Sequence, residues 1–389
     1  MAGEVYLDHA ATTPTDPRVV EAMRPYFTEV YGNPSTMYAL GAMADKAIEE
    51  ARERIAAFIG AKPEEIYFTS SGTESDNWAI KGIAYANVKK GRHIITSRIE
   101  HHAVLEACLF MREQGFEVTQ IPVDGEGLVD PDAVRKAIRP DTILISIMHG
   151  NNEIGTVEPI AQIGRIAEET DVVFHTDAVQ TVGKIPVKVE QLKVDILSAS
   201  AHKFYGPKGV GFQYIRKGTR ISPFIHGGGQ ERGKRASTHN VPGIVGMGKA
   251  VELADAEMES AAAKLRGLAD RLYKGIRERV EGIRLNGHPT LRVPGNVNIC
   301  VDSVEGESMI LCLDMNRVCV SSGSACTTGS LEPSHVLLAL GLPAEVAHGS
   351  LRFTMGKHNT EAEIDYVLQE FPPIVQRLRS MNPLYKKKA

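Results

Sequence analysis

The sequence predicts an α/β fold, with a mostly parallel sheet in a large domain and a smaller α+β domain after it. Two observations point there. From about residue 16 to 255, short β-rich apolar runs alternate with amphipathic helical segments, the pattern of a parallel sheet covered on both faces. From about residue 256 a long helical stretch leads into a different mixture of strands and helices. The large domain is therefore expected over 14–257, and the small one over 1–13 and 258–389. A chain of 389 residues can bury a core in each.

The strands are read in order as EIYFTS, HIITS, EVTQIPV, TILISIMH, VVFHTD, VDILSASA and GVGFQYI. Between them DKAIEEARERIAAFIG and EPIAQIGRIAEE carry apolar residues at helical spacing. In the second part, ADAEMESAAAKLRGLADRLYKGIRERV predicts a long helix, and NVNICV and RVCVSSG predict strands. In open α/β sheets ligands gather at the carboxyl ends of strands, so the chemistry is sought where these strands run into loops.

Composition removes several function classes. Hydrophobic residues at 43% and charged residues at 24% are ordinary for a soluble globular protein. A formal net charge of -4 gives no electrostatic case for nucleic acid. The start, MAGEVYLDHAATTP, lacks a signal-peptide pattern, and no apolar run is long enough to span a bilayer. Five cysteines without paired spacing do not form a disulfide framework, so a reducing, cytoplasmic setting is expected.

The segment SASAHKFYGPKGVGF ends a strand at Ser200 and passes through His202 and Lys203 into a Gly206–Pro207 turn. Lys203 is either a surface charge or, because VDILSASA looks internal, a partly desolvated amine able to form a Schiff base. Asp177 closes VVFHTD. It is either a helix N-cap or the carboxylate that keeps a pyridine nitrogen protonated. Lying one strand before Lys203, it favours the second reading.

In FTSSGTESDN, Gly72 and Thr73 stand where a strand turns into a helix, a place for a phosphate, although TESD also reads as a plain capping box. An amine, a pyridine-binding carboxylate and a phosphate turn together fit pyridoxal phosphate. No Walker or Gly-x-Gly-x-x-Gly pattern follows a strand, and GGGQERG at 227–233 reads as a flexible turn.

Among the cysteines, Cys300 and Cys319 sit in β-like runs, and Cys108 and Cys312 in apolar helical ones. All four are expected to be small buried hydrophobes. Cys326 lies instead in SSGSACTTGS, a small-residue polar segment where a thiolate can reach a substrate. Cys312, Cys319 and Cys326 lie too far apart for a zinc site, and His101 and His102 are adjacent, so no metal site is expected.

Taken together, YLDHAATTP, GNPS, FTSSGTESDN, EHHAVL, HGNNEIGTVEPI, HTDAVQTVGK, SASAHKFYGPKGVG, GGGQERG, SSGSACTTGSLEPSHVL and LRFTMG resemble the NifS/IscS-type cysteine desulfurases. These belong to the class V aminotransferase-like branch of fold-type I pyridoxal-phosphate enzymes. The motifs stand in family order from residue 6 to about 356.

The resemblance implies that Lys203 bonds the cofactor, Asp177 faces its pyridine nitrogen and Gln180 bonds the ring O3′. His101 would stack on the ring and move protons. Gly72, Thr73, Ser200 and His202 would hold the phosphate, with Thr238 reaching it from the other subunit of a homodimer. Asn152, bordering the cofactor, and Arg352 would bind the substrate carboxylate. The implied reaction turns L-cysteine into L-alanine, with sulfur passing to Cys326 as a persulfide for an iron–sulfur scaffold protein or another thiolation acceptor.

The chain departs from the family at Met37 and Tyr38 after GNPS, at His9, and in a short C-terminal tail that puts scaffold docking in doubt. Three rivals share parts of this pattern. An aminotransferase relative would need no loop cysteine. A selenocysteine lyase would have a shorter cysteine segment. A persulfide carrier without catalysis would have no use for Lys203, Asp177 and His202.

Overall fold

The computed structural model describes residues 3–322 and 332–382. The strands are β1 (Val5–Tyr6), β2 (Ile66–Thr69), β3 (His93–Ser97), β4 (Glu117–Ile121), β5 (Thr142–Ser146) and β6 (Val173–Asp177). They continue as β7 (Ile196–Ser200), β8 (Gly211–Ile215), β9 (Ile283–Leu285), β10 (Asn296–Val301), β11 (Val318–Cys319) and β12 (Ser350–Thr354). Seven of them form the main sheet in the order β2-β8-β7-β6-β5-β3-β4. Only β8 runs against its neighbours, pairing antiparallel with β2 and β7, while the other pairings are parallel.

Every residue of β2, β3, β5, β7 and β8 is buried, as expected for strands covered on both faces. Ile145, Phe174, Leu197 and Phe212 enter one core with Ile48 and Ile55 of the helix Ala39–Ile59. Ile94, Leu144 and Ile196 point the other way, onto Trp78 and Ile83 of the helix Gly72–Asn87. The edge strand β4 exposes Glu117 and Gln120, a polar border that discourages edge-to-edge pairing.

A second core is built from Leu7, Leu272, Ile299, Phe353 and Phe371, around the antiparallel sheet β12-β10-β9. The start of the chain belongs to it, because β1 pairs in parallel with β11. The helix Val241–Arg279 joins the two cores. Val241 to Val251 pack in the first and Leu265 to Ile276 in the second. At 39 residues it begins well before the stretch the sequence suggested, and it runs unbroken through the expected boundary at 257.

Its early turns are masked in the sequence by Gly243, Gly246 and Gly248, which read as helix breakers. Two of them are needed for close packing. A Cβ at Gly248 would stand 2.8 Å from Ala51 Cβ, and one at Gly246 would stand 2.6 Å from the Met23 sulfur.

Phe353 is fully buried and meets Phe371 edge-on, with ring centroids 5.9 Å apart. Truncating it leaves a cavity that the packed second core cannot close. Phe353→Ala should therefore cost about 3–5 kcal/mol in urea unfolding. A loss under about 1 kcal/mol would mean that this core is loosely packed.

Candidate active site

The carboxyl ends of the main-sheet strands carry the polar residues singled out above. Asp177 ends β6, and its Oδ1 accepts the Val179 N–H at 2.9 Å. No helix starts there, so the carboxylate is not a helix cap. It lies beside a second buried carboxyl, Asp76 of the helix Gly72–Asn87. Burial raises the proton affinity of both, and each also feels the other charge or its partners. Asp76 is pushed furthest, by burial and then by Asp177, whereas the Val179 N–H and Lys203 draw Asp177 back. Two such groups cannot both ionise cheaply. The proton therefore resides on Asp76, and Asp177 is the charged member.

Lys203 ends the 3-10 turn Ala201–Lys203, which begins where β7 stops at Ser200. Its Nζ donates to the carbonyls of Ala10 at 2.6 Å and Ala11 at 2.8 Å. Gln180 Nε2 donates to the same Ala10 carbonyl at 2.9 Å. His202 Nδ1 lies 3.0 Å from Thr12 Oγ1, and its backbone carbonyl accepts the Thr13 N–H and hydroxyl at 2.9 Å. Residues 10–13 thus hold Lys203, Gln180 and His202 in one place.

His101 precedes the helix His102–Glu113, and its Nδ1 accepts the Ala103 N–H at 3.1 Å. That bond places any ring proton of the neutral form on Nε2. Burial, then Lys203, His102 and His335, lower its pKa to about 4, so the ring is neutral at pH 7. Burial and nearby lysines do the same to His202.

Gly72 opens its helix against this edge. A Cβ there would stand 2.6 Å from Val179 Cγ2 and 3.6 Å from Ser200 Cβ, so only glycine lets the helix end come this close. Ser71 caps the helix by accepting the Glu74 N–H at 3.1 Å, while Thr73 is exposed. Burial opposes the charge on Glu74, but Arg235, with bonds of 2.8 and 3.0 Å, and Ser70 keep it ionised.

Arg352 rises from β12 and is buried. Its Nη2 donates to Asp8 Oδ1 and its Nη1 to the Asn152 carbonyl, both at 2.8 Å. Its Nε is buried without a partner among the described residues. Next to Asn152, Glu153 is raised to about 7 by burial and accepts the Ser334 hydroxyl.

Thr238 is exposed on the loop that follows the turn Glu231–Gly233 and makes no contact with these groups within one chain. Cys326 lies outside the described residues. Cys108 and Cys300 are buried as expected, but Cys312 and Cys319 are only half-buried. The reason is position: the helix Gly306–Met315 exposes the neighbours Leu311 and Met315, and the two-residue β11 lets Cys319 Sγ donate to Glu4 Oε1 at 3.4 Å. No cluster of His, Cys, Asp and Glu suited to a metal occurs among the described residues. Nor, among them, is any helix long and apolar enough to cross a membrane.

Asp8, the Ala10 and Ala11 carbonyls, Asp76 and Lys184 were not assigned from the sequence. Each stood inside a quoted motif, YLDHAATTP, FTSSGTESDN or HTDAVQTVGK. Their partners lie too far along the chain for spacing to reveal them.

The residues fit pyridoxal phosphate. An ionised carboxylate, a lysine amine and a neutral histidine converge beside a helix start that Gly72 brings up against Val179 and Ser200, the kind of backbone end that holds a phosphate. Residues 5–367 match the family described as Aminotransferase class-V. The chain belongs to that family of pyridoxal-phosphate enzymes.

A cysteine desulfurase IscS of Dictyoglomus turgidum is 57% identical over 98% of this chain and 97% of its own length. One from Methanosarcina thermophila is 57% identical over 98% and 95%. A solved structure named NifS-like protein superposes with a TM-score of 0.91 at 41% identity, over 96% of this chain and all of the other. Another, SspA in complex with cysteine, gives 0.81 at 38% identity, over 92% of this chain and all of the other.

The loop carrying Thr238 is anchored by Glu231, whose carboxylate meets Arg52 through two bonds of 2.9 Å and also accepts the Phe68 N–H. Burial opposes that charge, but His239 and Arg52 hold its pKa down to about 2. Because the folded value is depressed, the stability is complete above the unfolded carboxyl range. It is lost as pH falls through about 2. Glu231→Gln should cost about 3–5 kcal/mol at pH 7 by leaving the buried Arg52 with only the exposed Glu49 as an ion-pair partner, and should flatten the acid limb of the stability profile. An unchanged acid limb would remove Glu231 from that role.

Proposed function

We propose that this chain is a cysteine desulfurase that converts L-cysteine to L-alanine and leaves the sulfur on Cys326 as a persulfide. The observation that carries the reading is the convergence of Lys203, Asp177 and Gln180 on one buried edge, in a chain 57% identical over nearly its full length to enzymes of that name.

Pyridoxal phosphate would be held by Lys203, by Asp177 at its pyridine nitrogen and by Gln180 at its O3′. His101 would cover the ring, and Gly72, Thr73, Ser200 and His202 would surround the phosphate, joined by Thr238 of a second subunit. When bound, this cofactor supplies an electron sink that acidifies the substrate Cα–H.

The protein's residues perform the rest. Arg352 and Asn152 orient the substrate carboxylate, and the buried Arg352 Nε still lacks a partner among the described residues. Asp177 keeps the pyridine nitrogen protonated. The Lys203 amine removes the Cα proton, and neutral His101 can accept or pass one. The Cys326 thiolate then attacks the substrate sulfur. An S–S bond forms as the C–S bond breaks, the electron pair leaves with the substrate carbon, and a proton there completes alanine. The persulfide passes to a thiolation or iron–sulfur acceptor, in a reducing compartment such as the cytoplasm. The division into a cofactor-binding unit and a cysteine-bearing unit would fall within the helix Val241–Arg279.

Incubating the cofactor-loaded protein with L-cysteine should yield alanine and Cys326 persulfide together. A yellow protein that yields neither sinks the desulfurase reading and favours an aminotransferase. Cys326→Ser should keep the yellow colour and lose turnover by about 1000-fold or more, whereas Lys203→Ala should lose both. Normal sulfur release by Cys326→Ser would reassign the acceptor.

A further inference from the structure

Lys184 belongs to HTDAVQTVGK, yet neither the fold nor the mechanism above uses it. It follows Gly183, which has a φ of 77° and approaches the lysine turn closely. A Cβ on Gly183 would stand 2.6 Å from Phe204 Cβ. The turn after β6 is thereby pressed against the turn that ends at Lys203. Lys184 Nζ donates to Gln180 Oε1 at 2.9 Å. The other end of that amide, Nε2, donates to the Ala10 carbonyl that also receives Lys203. A lysine can only donate, so its bond decides which end of the Gln180 amide is oxygen.

The charges around the pair make Lys184 distinctive. His9, His101 and His202 have pKa values near 4 and are neutral at pH 7. Across the open cleft that Lys184 and Lys203 both line, Tyr205 is protonated, and Lys357 is paired with Glu257 at 2.9 Å. Arg352 is paired with Asp8. Asp177 is the anion that faces Lys203. Lys184, among the described residues, forms no ion pair, and its partner Gln180 is neutral. Burial, and then Lys203 and Arg352, lower the Lys184 pKa to about 7, so it carries its charge below that pH, and in that form it and Lys203 repel.

Resting on the cofactor reading above, we propose that Lys184 is a positioning residue. It locks the Gln180 amide with its oxygen turned away from Ala10, and its charge disfavours a proton on the Lys203 nitrogen. A unit charge lining the same partly buried cleft moves a neighbouring pKa by on the order of one unit.

The test is a pH titration of the visible band of the cofactor-loaded protein. Lys184→Met and Lys184→Gln should each raise the midpoint by on the order of one pH unit, and Lys184→Arg should keep it near the parent value. The glutamine variant keeps a polar group against Gln180, so it reports on charge even if the methionine variant fails to fold. Equal midpoints in the parent and in whichever neutral variants fold would overturn the role of Lys184 alone. A parent protein that shows no titrating visible band with pyridoxal phosphate would overturn the cofactor reading instead.

Discussion

The segment from Asp8 to Thr13 is the constraint on which the rest of the site depends. It leaves β1 in the second core and crosses to the turn after β7 in the first. On the way its carbonyls receive Lys203 and Gln180, its hydroxyls meet His202, and Asp8 neutralises the buried Arg352. Its own course is fixed from behind, since the His9 N–H donates to the Thr354 carbonyl and the Ala10 N–H to the Thr354 hydroxyl. A Cβ at Gly356 would collide with the His9 ring, so glycine is required for the segment to lie there. Backbone carbonyls are good resting places for a reactive amine. They hold it firmly, but they carry no full charge that would bind it too well to leave.

Around this segment the protein separates charges by burial. Asp76 takes up a proton in a dry pocket, beside His175, which bridges the hydroxyls of Ser146 and Ser198 at 2.8 and 2.9 Å. Those contacts let three adjacent strands share polar side chains without exposing them to water. Asp177, one step nearer the edge, keeps the charge that the site uses. The same burial that lowers the proton affinity of His101 and His202 leaves their rings neutral at pH 7.

Much of this was legible in the sequence. Strands buried on both faces are continuous apolar runs, so β3, β5, β6 and β7 could be placed. The polar residues that end them, Asp177 and Ser200, stand out against what precedes them. Other features left no local trace. Asp8 and Arg352 are 344 residues apart, and no periodicity predicts that pair. The first turns of the helix Val241–Arg279 were hidden because Gly246 and Gly248, which serve packing, carry the same letter as glycines that break helices. The half-exposure of Cys312 and Cys319 was missed because an apolar setting in sequence does not reveal which side of a helix or edge strand meets solvent.

The pairing of the first strand with late segments also has a bearing on biosynthesis. β1 lies on β11, and the His9 and Ala10 amides rest on Thr354, so these early residues must wait for partners more than 300 residues further along the chain. The seven-stranded sheet can form while translation continues, but Lys203 and Gln180 lack their carbonyl partners until the strap is seated. A nascent chain is therefore chemically idle until Thr354 has been made, and a product truncated before it would carry the lysine without the site.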